Sequence, residues 1–184
     1  QYWMPMPSLL AAAGMAMFNA PGSYPAAQIP FTVAVWAVAL VGFAIGARLG
    51  RTLFMAWLAG LLTLLSPFYA VGWGAVDSTT PFALFGAGCL LALGALASSG
   101  RDDARAGGWW AAAGALAALS HLSRPDGIIL LGVGLLTVAI VARRRRRWGA
   151  CWLALALLAG YGLALLAWFA RNVQAFGSLL PAGR

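Results

Sequence analysis

Apolar stretches too long for the core of a small soluble domain recur along this sequence, and they fix its solvent before anything else can be read. They run from Ile29 to Ala47, Leu53 to Ala75, Pro81 to Ala97, Gly107 to Leu122, Gly127 to Ala142 and Trp148 to Ala170. About 20 apolar residues in helical form cross a hydrocarbon core of roughly 30 Å. Helices and closed barrels are the two ways to satisfy the backbone there. Composition points the same way, with 62% of residues apolar and 9% charged, against roughly 45–50% and 25% in soluble domains. We expect an all-α fold, a polytopic transmembrane helical bundle of six spans forming a single domain over residues 1–184. Ser8 to Asn19 lies between Pro7 and the turn cluster Ala20-Pro21-Gly22-Ser23-Tyr24-Pro25. It is short for a crossing and is expected as an N-terminal interfacial or re-entrant helix.

The net charge of +8 arises from twelve Arg, no Lys and four Asp. In a soluble protein this balance would suggest nucleic acid, but here the arginines fall between apolar spans and read as topology. Arg48 and Arg51, Arg101 and Arg105, and the run Arg143 to Arg147 occupy every second loop. This alternation assigns nine of the twelve arginines to one side, expected to be the cytoplasm. Treating Gly107 to Ala142 as one crossing would carry Arg124, Pro125 and Asp126 through the bilayer centre, at about 2.5–3.5 kcal/mol per charged residue. It would also break the alternation. Two short spans joined by a Pro125-Asp126-Gly127 turn are therefore expected, with Pro ending one helix and Gly opening the next. Gly42, Gly46 and Gly50 share one helix face and permit close helix approach, within the chain in preference to a dimer seam.

This topology brings Asp77, the turn from His121 to Gly127 and the segment from Arg171 to Arg184 to the non-cytoplasmic face. Arg124 and Arg171 carry planar, permanently charged forks suited to phosphate. The competing structural reading pairs Arg124 with Asp126 or Asp77 and lets Arg171 cap the C-terminal end of its helix. His121 is a candidate phosphate contact or proton shuttle, or a packing histidine. Asp77, just before Ser78-Thr79-Thr80-Pro81, is a candidate helix cap and equally a weak candidate for catalysis or metal binding. Asp102 and Asp103 beside Arg101 and Arg105 read as a hydrated loop. Cys89 and Cys151 lie in apolar runs, without disulfide or zinc spacing. No Gly-rich nucleotide loop, HExxH or GxSxG sequence is present.

Four segments then occur in a familiar order: Gln1-Tyr2-Trp3-Met4-Pro5-Met6-Pro7, Leu65-Ser66-Pro67-Phe68, Leu122-Ser123-Arg124-Pro125-Asp126-Gly127, and Trp168 to Pro181 with its Arg171-Asn172 and Phe176-Gly177. Together they resemble bacterial membrane glycosyltransferases of the GT-C type, the group that includes protein mannosyltransferases and aminoarabinose transferases. The resemblance implies a polyprenyl-phosphate-linked sugar as donor and a glycan, lipid or protein acceptor outside the cytoplasm. It places the chain in a bacterial inner or plasma membrane of the cell envelope. Arg124, Arg171 and His121 become candidate contacts to the lipid phosphate; a divalent cation is compatible with such chemistry but has no assignable ligands. The family's acidic catalytic residue usually precedes the aromatic-proline segment, so the base is expected upstream of Gln1, and the chain is expected to be an internal fragment, inactive alone. A transporter is a further reading, motivated by charged groups near helix ends, and a noncatalytic or degenerate membrane scaffold is another.

Overall fold

The computed structural model describes residues 5–66, 75–99, 104–145 and 150–177. These form α1 (Pro5–Met17), α2 (Tyr24–Gly50), α3 (Leu53–Leu64), α4 (Thr79–Ser99), α5 (Ala104–Ser123), a 3-10 turn (Pro125–Gly127), α6 (Ile128–Arg145) and α7 (Ala150–Phe176). Gln1 to Met4, Pro67 and Phe68, Arg101 to Asp103, Arg146, Arg147 and Ser178 to Arg184 lie outside the described residues, as does most of the second half of the span expected from Leu53 to Ala75.

Helix boundaries follow local chemistry. Ser23 caps α2 by accepting a hydrogen bond from the Ala26 amide at 3.4 Å, with Pro25 in the first turn, where its missing N–H has no role to lose. Arg51 then adopts a left-handed conformation (φ 54°), and Thr52 caps α3 through the Met55 amide at 3.2 Å. The short link turns the chain back, so α3 lies along α2. Gly42, Gly46 and Gly50 form the contact: a methyl group on Gly46 would sit 2.5 Å from Ala59 Cβ, and one on Gly42 or Gly50 would collide with Thr63 or Met55. The glycine face therefore serves packing within the chain.

The turn after α5 is formed as expected. Arg124 is extended (φ −150°, ψ 143°), the geometry imposed on a residue before proline, and the 3-10 turn leads directly into α6. Gly127 packs so tightly on the backbone of Ser120 and His121 that any side chain there would collide.

Four helical stretches are long and apolar enough to cross a membrane: Tyr24–Gly50, Thr79–Ser98, Pro125–Arg144 and Cys151–Ala175. The chain is an integral membrane protein on this ground. The two other expected spans differ from these. Described α3 has 12 residues, about 18 Å at 1.5 Å per residue. α5 has 20 residues but falls outside the apolar set. The reason is its position: α5 packs against α1, α4, α6 and α7, burying Trp110, Ala113, Ala117, Ala118, Ser120 and Ser123. A helix surrounded by protein needs small residues that admit its neighbours more than it needs bulky residues that meet lipid.

Contacts define the directions. Ser120 Oγ donates to the Phe82 carbonyl at 3.4 Å and Cys89 Sγ to the Ala113 carbonyl at 3.5 Å, making α4 and α5 antiparallel. Gly107 lies near Trp152 and Gly114 against Leu157 and Tyr161, so α5 and α7 run parallel. One end of the bundle thus carries the start of α2, the start of α4, the 124–127 turn and the end of α7, and α3 runs toward that end as far as the middle of α2. Arg124 and Arg171 belong to that end, while Arg48, Arg51, Arg143 and Arg144 belong to the other. Among the described residues the four arginines Arg48, Arg51, Arg143 and Arg144 thus lie opposite Arg124 and Arg171, the arrangement expected for them, while Arg101, Arg146 and Arg147 lie outside the described residues. α1 forms where the short N-terminal helix was expected, buries Met6, Ala11 and Gly14, and lies against α2.

Candidate functional site

A concave surface opens at the Arg124 end. α2, α3, α4, the 3-10 turn and α6 enclose a cleft of about 970 Å³, at the upper limit of ordinary ligand pockets. Its inner wall is apolar, from Val38, Leu62, Ala87, Leu90 and Leu130. Its rim is polar, from Ser66, Thr79, Arg124 and Asp126. From Thr79 to Leu90 the wall follows α4 for about 16 Å at 1.5 Å per residue. A polar rim over an apolar trough fits an amphiphile.

Arg124 reaches the rim because proline breaks α5 and turns the backbone out before α6 begins. Its Nη2 lies 3.3 Å from Asp126 Oδ2, and its Cζ sits 5.4 Å from the centroid of the Phe82 ring. The pair is open to solvent, with 44% and 59% of the two side chains exposed. Such an exposed ion pair contributes only about 0–1 kcal/mol. Among the described residues Asp126 is its one hydrogen-bond partner, which leaves four of the guanidinium's five N–H donors for a ligand.

The other candidates sit elsewhere. His121 shares a hydrogen bond between its Nδ1 and the Tyr161 hydroxyl, with the rings stacked at 6.0 Å, and lies outside the cleft lining. Arg171 also lies outside that lining. It is exposed, and its Cζ lies 5.1 Å from the ring of Trp168 on the same helix. It does not cap the helix end: nothing from Arg171 to Phe176 breaks a helix, and α7 continues until Gly177 adopts φ 69°. Asp77 acts as a cap, accepting from the Thr79 amide at 2.8 Å and from Thr79 Oγ1 at 3.2 Å. The structure therefore gathers Arg124, Asp126 and Thr79 around one cleft and leaves His121 and Arg171 outside it. Among the described residues no group of three or more His, Cys, Asp or Glu side chains comes together to hold a metal ion.

Sequence reasoning missed Phe82, which supports the guanidinium, and Tyr161, the partner of His121. Both are aromatic residues inside apolar spans, where nothing local distinguishes a ring that packs from one that holds a polar partner. Asn172, 1% exposed, was also overlooked as a buried polar group beside Arg171. Comparison of the chain with protein-family models, curated proteins and solved structures finds no match.

Proposed function

We propose that the chain is part of an integral membrane glycosyltransferase that moves a sugar from a polyprenyl-phosphate donor to a glycan, lipid or protein acceptor on the non-cytoplasmic side of a bacterial membrane. The observation that carries this reading is the cleft: an apolar trough for a prenyl tail under a rim that carries the Arg124 guanidinium. The side follows from the positive-inside rule, since Arg48, Arg51, Arg143 and Arg144 belong to the end opposite Arg124. Arg124 binds the phosphate and offsets negative charge that grows on it as the sugar leaves. His121 and Arg171 are secondary contacts in this reading, reached by a headgroup extending beyond the rim.

Binding of a polyprenyl phosphate to the purified protein in nanodiscs tests the central claim. Arg124→Ala should weaken it by about 10- to 100-fold, the equivalent of a lost hydrogen bond to a charged group, with unfolding temperature little changed. Unaltered affinity would overturn the reading. The Arg124–Asp126 pair favours one alternative, a noncatalytic membrane scaffold in which the arginine serves the turn alone. That role requires Arg124→Ala to lower stability and leave lipid binding untouched.

A further inference from the structure

Asp126 is an unexpected neighbour for a phosphate site. Its carboxylate lies on the same rim as Arg124, 3.3 Å from the guanidinium, and would stand close to any anion that Arg124 binds. The described lining of the cleft holds one cation and one carboxylate. On the basis of the lipid-phosphate reading above, we propose that Asp126 makes the cleft select a singly charged lipid phosphodiester over the doubly charged phosphomonoester.

Arg124 lies against the Phe82 ring and the Asp126 carboxylate, so a headgroup approaches a cation already sharing its field with an anion. A phosphodiester brings one negative charge, which the free donors of the fork can meet. A phosphomonoester, above its second pKa of roughly 6, brings a further charge. No second cation lines the described cleft to receive it, and Asp126 repels it. Discrimination by a repulsive neighbour is a general route to specificity.

The preference has a direction in the proposed reaction. Transfer breaks the bond between the anomeric carbon and the phosphate oxygen, leaving the electron pair on that oxygen. The acceptor oxygen bonds to the carbon and gives its proton to a general base. A donor with one charge becomes a lipid product with two, and a rim that disfavours the second charge promotes product release. Asp126 acts here as a positioning and specificity residue, since it touches Arg124 and not the reacting carbon.

The test compares a polyprenyl phosphate with its methyl ester, which share a tail and differ by one charge, in phosphatidylcholine nanodiscs at about pH 8, above the second phosphate pKa of roughly 6. At low salt the wild-type protein should bind the ester about fivefold more tightly, a difference that salt screens. Asp126→Asn should abolish the preference and Asp126→Glu should keep it. A preference of unchanged size in Asp126→Asn overturns the inference. Both lipids binding equally to wild type, and both weakened by Arg124→Ala, would overturn the inference while leaving the lipid-phosphate reading intact. If neither lipid binds wild type, both fall. Displacement of the ester by an equal concentration of phosphatidylglycerol would assign the cleft to a bilayer phospholipid and overturn the polyprenyl occupant.

Discussion

The α5–α7 seam and the cleft beside α4 are built from similar small and aliphatic residues, yet one is closed and the other holds about 970 Å³. In the seam, Gly114 faces the Leu157 carbonyl and Gly160 the Ala111 carbonyl so closely that a methyl group on either would collide with backbone. In the cleft, a methyl group on Gly86 would stand 3.5 Å from Leu130 and Ser120, an ordinary van der Waals distance. Small residues close a gap where the opposite helix is held near, and leave space where it is not. α5 and α7 extend side by side for most of their lengths, whereas the cleft walls come from four helices and a turn.

The contrast can be broken most forcefully at Gly160. Gly160→Val should destabilise the protein by about 3 kcal/mol or more, since overpacking a tight contact forces the backbones apart. Thermal unfolding in detergent checks this, and a wild-type midpoint would show that the seam can open. Ala87→Phe places a larger change in the cleft wall with the opposite outcome: stability within about 0.5 kcal/mol of wild type, because the ring enters open space, but lipid binding weakened by at least about tenfold through the clash. Tyr161→Phe sharpens the account of the seam by removing one hydrogen bond without changing shape. It should lower stability by about 0.5–1.5 kcal/mol and leave lipid binding in the cleft unchanged. The smallest effect is expected at Gly94, where nothing lies within 4 Å of an added methyl group. Gly94→Ala should raise stability by about 0.5–1 kcal/mol through helix propensity.

Features encoded by adjacent residues were legible in the sequence. Pro125 and Gly127 mark a turn by their own backbone constraints, and alternating arginines mark the bundle ends by solvation. The capping reading of Asp77 rested on the neighbouring Ser78, Thr79 and Thr80, and Thr79 proves to be its partner. What could not be read depends on which helices become neighbours. Nothing near Arg124 in sequence announces Phe82, or near His121 announces Tyr161, because α4 and α7 supply them. The last helix continues past the expected end at Ala170 to Phe176, because none of the polar residues Arg171, Asn172 and Gln174 disfavours helix strongly. The expected count of six spans treated apolarity as the mark of a crossing. α5 shows how that mark fades in a helix whose partners are other helices, and α3 is described for only 12 residues.

Pro30 within α2 bears on how the protein is assembled. Proline has no N–H, so the Ala26 carbonyl one turn earlier loses its helical donor. Gly14 of α1 is packed onto that carbonyl, and a methyl group there would also come within 2.8 Å of the Pro30 ring. A bare carbonyl facing hydrocarbon is unfavourable, so α2 entering the bilayer alone would carry a defect that α1 covers. The two helices are therefore expected to leave the insertion machinery as a folded pair, and a chain deprived of α1 should show delayed or misregistered insertion of its first long helix.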